Sequence, residues 1–231
     1  MTQLTSSYGE PRARITAKEY VRDQLRRQIL SGSIPGGTRL VQADLANDLG
    51  VSTTPVREAL HDLASEGLIE FGAHKGAVVH QIDRTELQEV FELRKLLEPV
   101  VMELAIPNMG PELVDQLETL CDEMEATVHS PTWVELNRKF HGVFMIASGW
   151  PRLAGIVGAL HDSACPMVAL ALRFREDLYE VGNRDHRALL EAARTGDVAG
   201  AVALTESHMN ITRTAIEARV PGPGERNLRT I

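Results

Sequence analysis

The segment from Leu45 to Val79 constrains the fold more than any other part of this chain. It begins with two short amphipathic helical patterns separated by Gly50, a residue suited to ending the first helix. Pro55 fits the first turn of the second helix, and the hydroxyl residues just before it can cap that helix. Two apolar runs then flank a glycine-bounded turn, as in a β-hairpin. This order predicts a winged helix-turn-helix, which points to DNA as the partner.

A further amphipathic helix precedes this segment, so the winged pattern occupies about residues 15–80. The predicted elements are helices over Ala17–Leu30, Gln42–Leu49 and roughly 53–66, and strands over 68–71 and 77–79. From Arg84 onward the periodicity is helical, with no convincing strand. Proline and glycine breakers divide it into helices over 84–106, 110–128, 132–148, 151–179, 182–195 and 197–219, with Gly182 as one of the breakers.

We therefore expect a mainly α protein, with a winged helix-turn-helix followed by an all-α six-helix bundle. The expected divisions are a flexible arm over 1–14, the DNA-binding domain over 15–80, the bundle over 81–219 and a flexible tail over 220–231. A length of 231 residues suits two modest domains.

Targeting signals and cysteines bear on the compartment. The N-terminus lacks the basic and apolar regions of a signal peptide, and no run of about eighteen uncharged apolar residues occurs. Cys121 and Cys165 are the only cysteines and form no CxxC pair, so we expect reduced, buried thiols. These features predict a cytoplasmic protein with no membrane span.

Charge is distributed unevenly along the chain. Residues 1–80 contain equal numbers of basic and acidic side chains, so residues 81–231 carry the whole net charge of −8. The acidic part would repel phosphate, so DNA contact must come from residues 1–80. Because that part is not strongly basic, useful affinity requires two copies or well-placed contacts.

The second helix of a helix-turn-helix presents its N-terminal residues to base edges in the major groove. The candidate DNA-reading residues are Ser52, Thr53, Thr54, Pro55 and Arg57, with Arg39, His74 and Lys75 as candidate backbone contacts. Arg57 is the one cation at this helix start and can pair bidentately with guanine or hold a phosphate. The alternative for Arg57 is an i,i+4 contact with His61 or a capping contact, on a solvated face.

Residues 17–80, with the sequence LANDLGVSTTPVREALHDLASEGLI at their centre, resemble the GntR family of bacterial transcription regulators. The PVREAL core is highly specific, and Arg57 matches an arginine of the family's recognition helix. Thr53 departs from the pattern, because the family usually carries an arginine there that helps to read the operator. The resemblance therefore implies a variant operator sequence or weaker binding.

Histidines on predicted helices are the strongest chemical signal in the second half. Asn137 and His141 lie four apart on one helical face, and His186 and His208 belong to two other helices. Three imidazoles and one amide oxygen suit a divalent ion such as Zn²⁺, Ni²⁺ or Mn²⁺. From spacing alone, ordinary hydrogen-bonded histidines remain the alternative. The other histidines, His61, His80, His129 and His161, fall outside this arrangement.

Residues 82–219 resemble the FCD effector domain of the FadR-type subfamily, through ELQEVFELRKLLEPV, NRKFH and DHRALLEAARTGDVAGAV. That resemblance implies that Asn137, His141, His186 and His208 hold a divalent metal, with Asn137 replacing the commoner aspartate. It also implies a small carboxylate effector that completes the coordination, with Arg94 as counter-ion. An internal ion pair between Arg94 and Glu98 is the alternative.

These features predict a ligand-responsive transcription regulator, more in keeping with a repressor, that binds operator DNA as a homodimer and senses a carboxylate at a metal-containing pocket. A regulator that senses the metal ion itself and a regulator with a purely structural metal are the alternatives. A metalloenzyme is a remote alternative, because the sequence contains no HExxH or other catalytic motif.

Overall fold

The computed structural model describes residues 15–72, 76–81, 83–128 and 131–217. Within these ranges the chain forms nine α-helices and three short strands. The helices are α1 (Ala17–Leu30), α2 (Gln42–Leu49), α3 (Thr53–Ser65), α4 (Arg84–Ala105), α5 (Pro111–Ala126), α6 (Pro131–Ala147), α7 (Pro151–Leu172), α8 (Asp177–Thr195) and α9 (Val198–Glu217). The strands are β1 (Arg39–Leu40), β2 (Ile69–Gly72) and β3 (Gly76–Val79). The predicted mainly α class is confirmed.

Helices α1 to α3 and a small sheet form the winged helix-turn-helix. Thr16 and Glu19 form a capping box at the start of α1. Gly50 ends α2 in the left-handed conformation that the sequence predicts. The sheet is antiparallel in the order β1-β3-β2. Strand β1 was missed because two residues are too few to show alternation.

Helices α4 to α9 form the predicted six-helix bundle. Helix α4 packs against α9 and α7, α6 packs against α5 and α7, and α8 packs against α5 and α9. Apolar faces of these helices bury large side chains such as Phe140, Phe144, Leu117 and Leu189. The bundle therefore brings α6, α8 and α9, the three histidine-bearing helices of the sequence prediction, around one interior region.

Two predicted helix bounds were wrong. The helix predicted over 151–179 ends at Leu172, and α8 begins at Asp177 instead of residue 182. The apolar spacing continues through Leu178 and Tyr179 because α8 packs against the same core. Gly182 lies inside α8, where a Cβ atom would meet the ring of Trp133 at 3.0 Å. This glycine allows close helix packing and is not a breaker.

Helix α7 is long and apolar enough to span a membrane by composition, with 22 residues and a mean hydropathy of 1.4 over an 18-residue window. It nevertheless carries the buried His161 and the largely buried Asp162, which contact charged groups on α4 and α1. It also packs against α4, α6 and α9. These contacts make it an integral helix of the bundle.

An ion-pair network joins the winged part to the bundle. The guanidinium of Arg26 on α1 pairs with Glu66, which follows α3, and with Asp162 on α7. Close packing accompanies this network, because a Cβ atom on Gly32 would lie 3.2 Å from that of Ala169. Within the bundle, α1 therefore packs mainly against α7.

Candidate metal centre and nucleic-acid interface

Three helices bring three histidines together inside the bundle. His141 projects from α6, His186 from α8 and His208 from α9, and one ring nitrogen of each lies within 4.8 Å of the others. Their ring centroids are 5.3 to 5.5 Å apart. The predicted convergence of these side chains is therefore present in the structure.

Burial keeps the inner imidazoles neutral. It lowers the pKa of His141 and His186 well below the usual value, and the neighbouring histidines lower the pKa of both further. A neutral imidazole has a free lone pair and is the form that binds a metal ion. The cluster therefore presents metal-binding nitrogens at neutral pH.

The structure contains buried polar atoms that the protein itself does not satisfy. Both ring nitrogens of His186 and the side-chain oxygen of Asn137 have no hydrogen-bond partner among the described residues. Leaving such a group unpaired costs about 1–3 kcal/mol, so native structures rarely do so without a reason. An imidazole with both nitrogens unpaired and an unpaired amide oxygen, beside two further imidazoles, fit the ligand set of a divalent cation.

A carboxylate orients the third histidine. Nδ1 of His208 lies 3.1 Å from Oδ2 of Asp185. Because a carboxylate only accepts, Nδ1 carries the proton and Nε2 keeps its lone pair. An outer carboxylate of this kind fixes the tautomer of metal-binding histidines in proteins. Asp185 was not among the predicted site residues, since its role depends on a contact between α8 and α9.

Arg94, Glu98 and His161 form a buried charged group beside the cluster. Nε of Arg94 donates to Oε1 of Glu98 over 2.6 Å, and Nε2 of His161 lies 2.9 Å from the same oxygen. His161 lies outside the group of three histidines, as predicted, although its ring centroid is 5.0 Å from that of His141. The alternative proposed for Arg94, an ion pair with Glu98, is present, and Arg94 also lines the cavity.

Replacing Glu98 with glutamine should destabilise the fold by about 3–5 kcal/mol, because it leaves the Arg94 charge buried without its partner. Denaturant unfolding measures this loss. Glu92→Gln on the same helix is the control, since Glu92 pairs with Arg213 at the surface and should cost about 0–1 kcal/mol. Equal, small losses in both variants would contradict the prediction.

The buried pair of Glu98 and Arg94 also predicts that the stability of the fold depends on pH. Burial alone would raise the pKa of Glu98, but Arg94 and His161 together lower it to about 2. Its carboxylate therefore contributes stability above about pH 4.5, and that contribution is lost as the pH falls from 4.5 towards 2.

A small cavity adjoins the histidines, with a volume of about 50 Å³. Its polar end is formed by Arg94, Asn137, His141, His161 and His208. The remaining wall is mostly apolar and includes Trp133, Cys165, Val168, Leu172, Val181 and Ile211. The cavity therefore has one end suited to an anion and one suited to hydrocarbon. Cys165 and Cys121 are free thiols, as expected.

The start of α3 presents the predicted DNA-reading residues. Ser52 occupies the cap position without a side-chain capping bond, and Thr53, Thr54 and Arg57 are exposed, with Pro55 half-buried. Among the described residues, no ion pair or hydrogen bond holds Arg57. Its alternative partner His61 stacks on Phe71 with ring centroids 4.7 Å apart. Arg39 is exposed on β1, and His74 and Lys75 lie outside the described residues.

Sequence comparison identifies both parts of the chain. Residues 17–79 match the profile of the bacterial regulatory proteins of the gntR family, and residues 89–211 match the FCD domain. A relative named "Probable D-xylose utilization operon transcriptional repressor", from Paenarthrobacter nicotinovorans, is 38% identical over 80% of this chain and 81% of that protein. The gluconate operon transcriptional repressor of Bacillus subtilis is 30% identical over 75% of this chain and 74% of its own.

The regulators YdhC of Bacillus subtilis and McbR of Escherichia coli are each 28% identical over 61% of this chain. The chain spans just under two thirds of their lengths, 64% and 65%. All four relatives are named as regulators of transcription, which removes the metalloenzyme alternative.

Solved structures confirm the fold. McbR/YncC of Escherichia coli superposes with a TM-score of 0.78 at 22% identity, over 89% of this chain and 99% of that one. A GntR regulator from Rhodococcus sp. RHA1 gives 0.76 at 18% identity, over 88% and 99%. At these identities the likeness concerns architecture alone. The two profile matches and the relative of 38% identity show that the chain belongs to the gntR family of bacterial regulatory proteins and carries an FCD domain.

Proposed function

We propose that this protein is a cytoplasmic transcription regulator, acting as a repressor, that binds operator DNA through residues 15–80. One observation carries the proposal: the start of α3 leaves Thr53, Thr54 and Arg57 exposed on a winged helix-turn-helix. These groups are the hydroxyl and guanidinium donors that read base edges and phosphates. Thr53 stands where the family usually has arginine, which implies either a variant operator or weaker binding.

Two copies act together in this proposal. The DNA-binding part has no net positive charge, so one copy gains little from phosphate attraction. The bundle over 81–219 exposes large apolar side chains around the turn from α6 to α7: Ile146, Trp150 and Ile156. Exposed apolar groups of this size suit contact with a second bundle. A homodimer then places two α3 helices on the two halves of an inverted repeat.

The histidine cluster would hold a divalent ion, namely Zn²⁺, Ni²⁺ or Mn²⁺, through Asn137, His141, His186 and His208. When bound, the ion supplies a Lewis-acidic position at the polar end of the cavity. A small carboxylate effector would bind there, with Arg94 as its cationic neighbour. There are two other candidates: a regulator that senses the metal ion itself, and a regulator whose metal is purely structural. The histidine cluster alone supports these two and the carboxylate sensor equally.

The effector changes DNA binding only if it favours one arrangement of the two domains. Two sets of contacts join the DNA-binding domain to the bundle and would change if the two domains shifted. One is the Arg26 network on α7. The other is His80, which contacts Glu70 of β2 and lies 2.8 Å from Glu86 of α4. The segment from His80 to Asp83 is therefore the proposed hinge.

DNase footprinting on the DNA upstream of the protein's own gene tests the function, with the oligomeric state measured by light scattering. We expect a protected inverted repeat, a dimeric mass, and loss of protection when metal and a carboxylate are both added. Loss of protection with metal alone would favour the metal sensor. An unchanged footprint under all conditions would favour the structural metal, and the lack of any protected site would refute the proposal.

Asp185→Asn should weaken metal binding by about 10- to 100-fold, because the outer carboxylate no longer fixes and polarises His208. Competition with a metal-binding dye measures the change. Glu191→Gln, an exposed site on the same helix, should leave the metal affinity unchanged. Equal affinities for the Asp185→Asn variant and the wild type would show that His208 needs no such support.

A further inference from the structure

His80 lies between β3 and α4, where the DNA-binding domain meets the bundle. Its backbone N–H donates to the carbonyl of Leu68 over 2.9 Å, on the side of the sheet. On the side of the bundle, Asp83 caps α4 by accepting from the backbone N–H of Glu86 over 2.9 Å. A Cβ atom on Gly36 would lie 3.0 Å from the carbonyl oxygen of His80, so the backbone here is closely packed. These contacts fix the chain on both sides of the imidazole.

Each ring nitrogen of His80 faces a carboxylate. Nδ1 contacts Glu70 of β2, and Nε2 lies 2.8 and 2.9 Å from the two carboxylate oxygens of Glu86 in the first turn of α4. A carboxylate only accepts hydrogen bonds, so each ring nitrogen has to donate one. Neutral imidazole carries one N–H, whereas imidazolium carries two. Only charged His80 therefore holds both carboxylates at once, and neutral His80 has to release one of them.

The other elements around His80 contribute little charge. Among the described residues, the cavity of about 20 Å³ beside it is otherwise lined by uncharged groups from α1, α7 and the turn before β2: Ile29, Gly67, Leu68, Ser163, Pro166 and Met167. On α1 and α7, Arg26 pairs with Asp162 and also with Glu66, which follows α3. Arg84 at the start of α4 is exposed. The charge of His80 is therefore governed mainly by its two carboxylate partners.

These two partners favour the charged form of His80. Burial alone would lower its pKa, but the hydrogen bonds to Glu70 and Glu86 outweigh burial and raise the pKa above the usual value of about 6.5. The unfolded chain lacks both partners. The link therefore contributes its full stability below about pH 6.5 and loses it as the pH rises through the raised pKa. The change begins near neutral pH and lies on its alkaline side.

We propose that His80 is a proton-dependent link between the DNA-binding domain and the bundle, joining Glu70 to Glu86 when charged and releasing one of them when neutral, so that operator binding responds to pH. A fixed arrangement of the two domains loses less conformational freedom when two copies bind both halves of an operator. The protein therefore binds its operator more tightly when His80 is charged. This inference rests on the proposed DNA-binding function and does not depend on the metal site.

The first measurement is the titration of His80 in the full-length protein, followed by NMR of histidine-labelled samples without DNA. We expect Glu70→Gln and Glu86→Gln each to lower the midpoint of this titration, because the amide keeps the size of the side chain and removes its charge. Glu103→Gln is the control, since Glu103 is exposed on α4 and has no ion pair among the described residues. A midpoint that is the same in the wild type and in both partner variants would overturn the link.

The second measurement is the affinity for the DNA fragment protected in footprinting, measured by fluorescence anisotropy from pH 6 to pH 8.5 at constant salt. The side chains of Glu70 and Glu86 are 68% and 39% exposed, so solvent screens their attraction for His80. We therefore expect the wild-type affinity to fall about 2- to 5-fold more over this range than that of His80→Gln, which cannot become charged. Glu103→Gln should follow the wild type.

The two measurements separate failure of the link from failure of the function. Tight operator binding with the same pH dependence in the wild type and His80→Gln would overturn the regulatory role of His80 and leave the DNA-binding function intact. The lack of specific binding at every pH would refute the function and this inference with it. Circular dichroism shows whether each variant is folded, and Glu70→Gln, which changes a mostly exposed side chain, repeats the binding test if His80→Gln is not.

Discussion

Protein purified without a metal-binding tag should contain about one divalent ion per chain, and His186→Ala should lose it. His186 is fully buried, and neither of its ring nitrogens has a hydrogen-bond partner in the part of the chain that the structure describes. Its removal deletes a direct ligand, so the loss of affinity should exceed the roughly 100-fold that an outer partner costs. His141→Ala should behave alike. Elemental analysis by mass spectrometry, after dialysis against a defined free Zn²⁺ concentration, measures both.

The matched control is His61→Ala, which removes an exposed histidine of α3 that stacks on Phe71. That variant should retain its metal. Circular dichroism distinguishes loss of the ligand from loss of the fold. Metal-free wild type, even after Zn²⁺, Ni²⁺ and Mn²⁺ are offered, would show that the convergent histidines hold no ion.

Arg57→Ala should remove most specific DNA binding. A bidentate arginine contact with a base pair contributes about 1–3 kcal/mol, and a dimer makes that contact twice. The expected loss is therefore about 2–6 kcal/mol on an operator fragment, measured by fluorescence anisotropy at fixed salt. Binding to unrelated DNA should fall much less, because one arginine is a small part of the phosphate contact.

Arg175→Ala is the control for this experiment, since Arg175 is an exposed arginine between α7 and α8 that pairs only with Asp177 among the described residues. It should leave operator affinity unchanged. Thr53→Arg restores the residue that the family usually carries and should change the preferred sequence in a selection from random DNA. If Arg57→Ala binds the operator as tightly as the wild type, α3 does not read DNA through this residue.

Local patterns in the sequence predicted most of the fold. The spacing of apolar residues located the helices because each helix buries one face, and Gly50 marked a helix end through its left-handed conformation. The pair of Asn137 and His141 was visible because residues four apart share a helical face. Errors arose where packing overrode local signals, as at Gly182, whose role is close contact with Trp133.

Contacts between distant helices could not be predicted in the same way. His161 and Glu98 lie on different helices, and nothing in the sequence around either residue indicates that they meet. The same holds for Asp185 and His208. Arg94 was expected to serve either a carboxylate effector or an internal ion pair. In the structure Arg94 forms the ion pair with Glu98 and also lines the cavity. The internal ion pair and a contact with an effector are therefore compatible.

The position of helix α7 limits the exchange of DNA-binding domains between regulators of this kind. Two adjacent residues on it serve different regions: His161 lines the cavity, and Asp162 receives Arg26 from α1. A chimera that joined residues 15–80 to the bundle of another relative would keep Arg26 but could lose its acceptor. Exchange of the winged domain alone therefore requires an acidic residue at the position of Asp162 in the receiving bundle. Because His161 and Asp162 are adjacent, a shift of α7 at the cavity also moves the acceptor of Arg26.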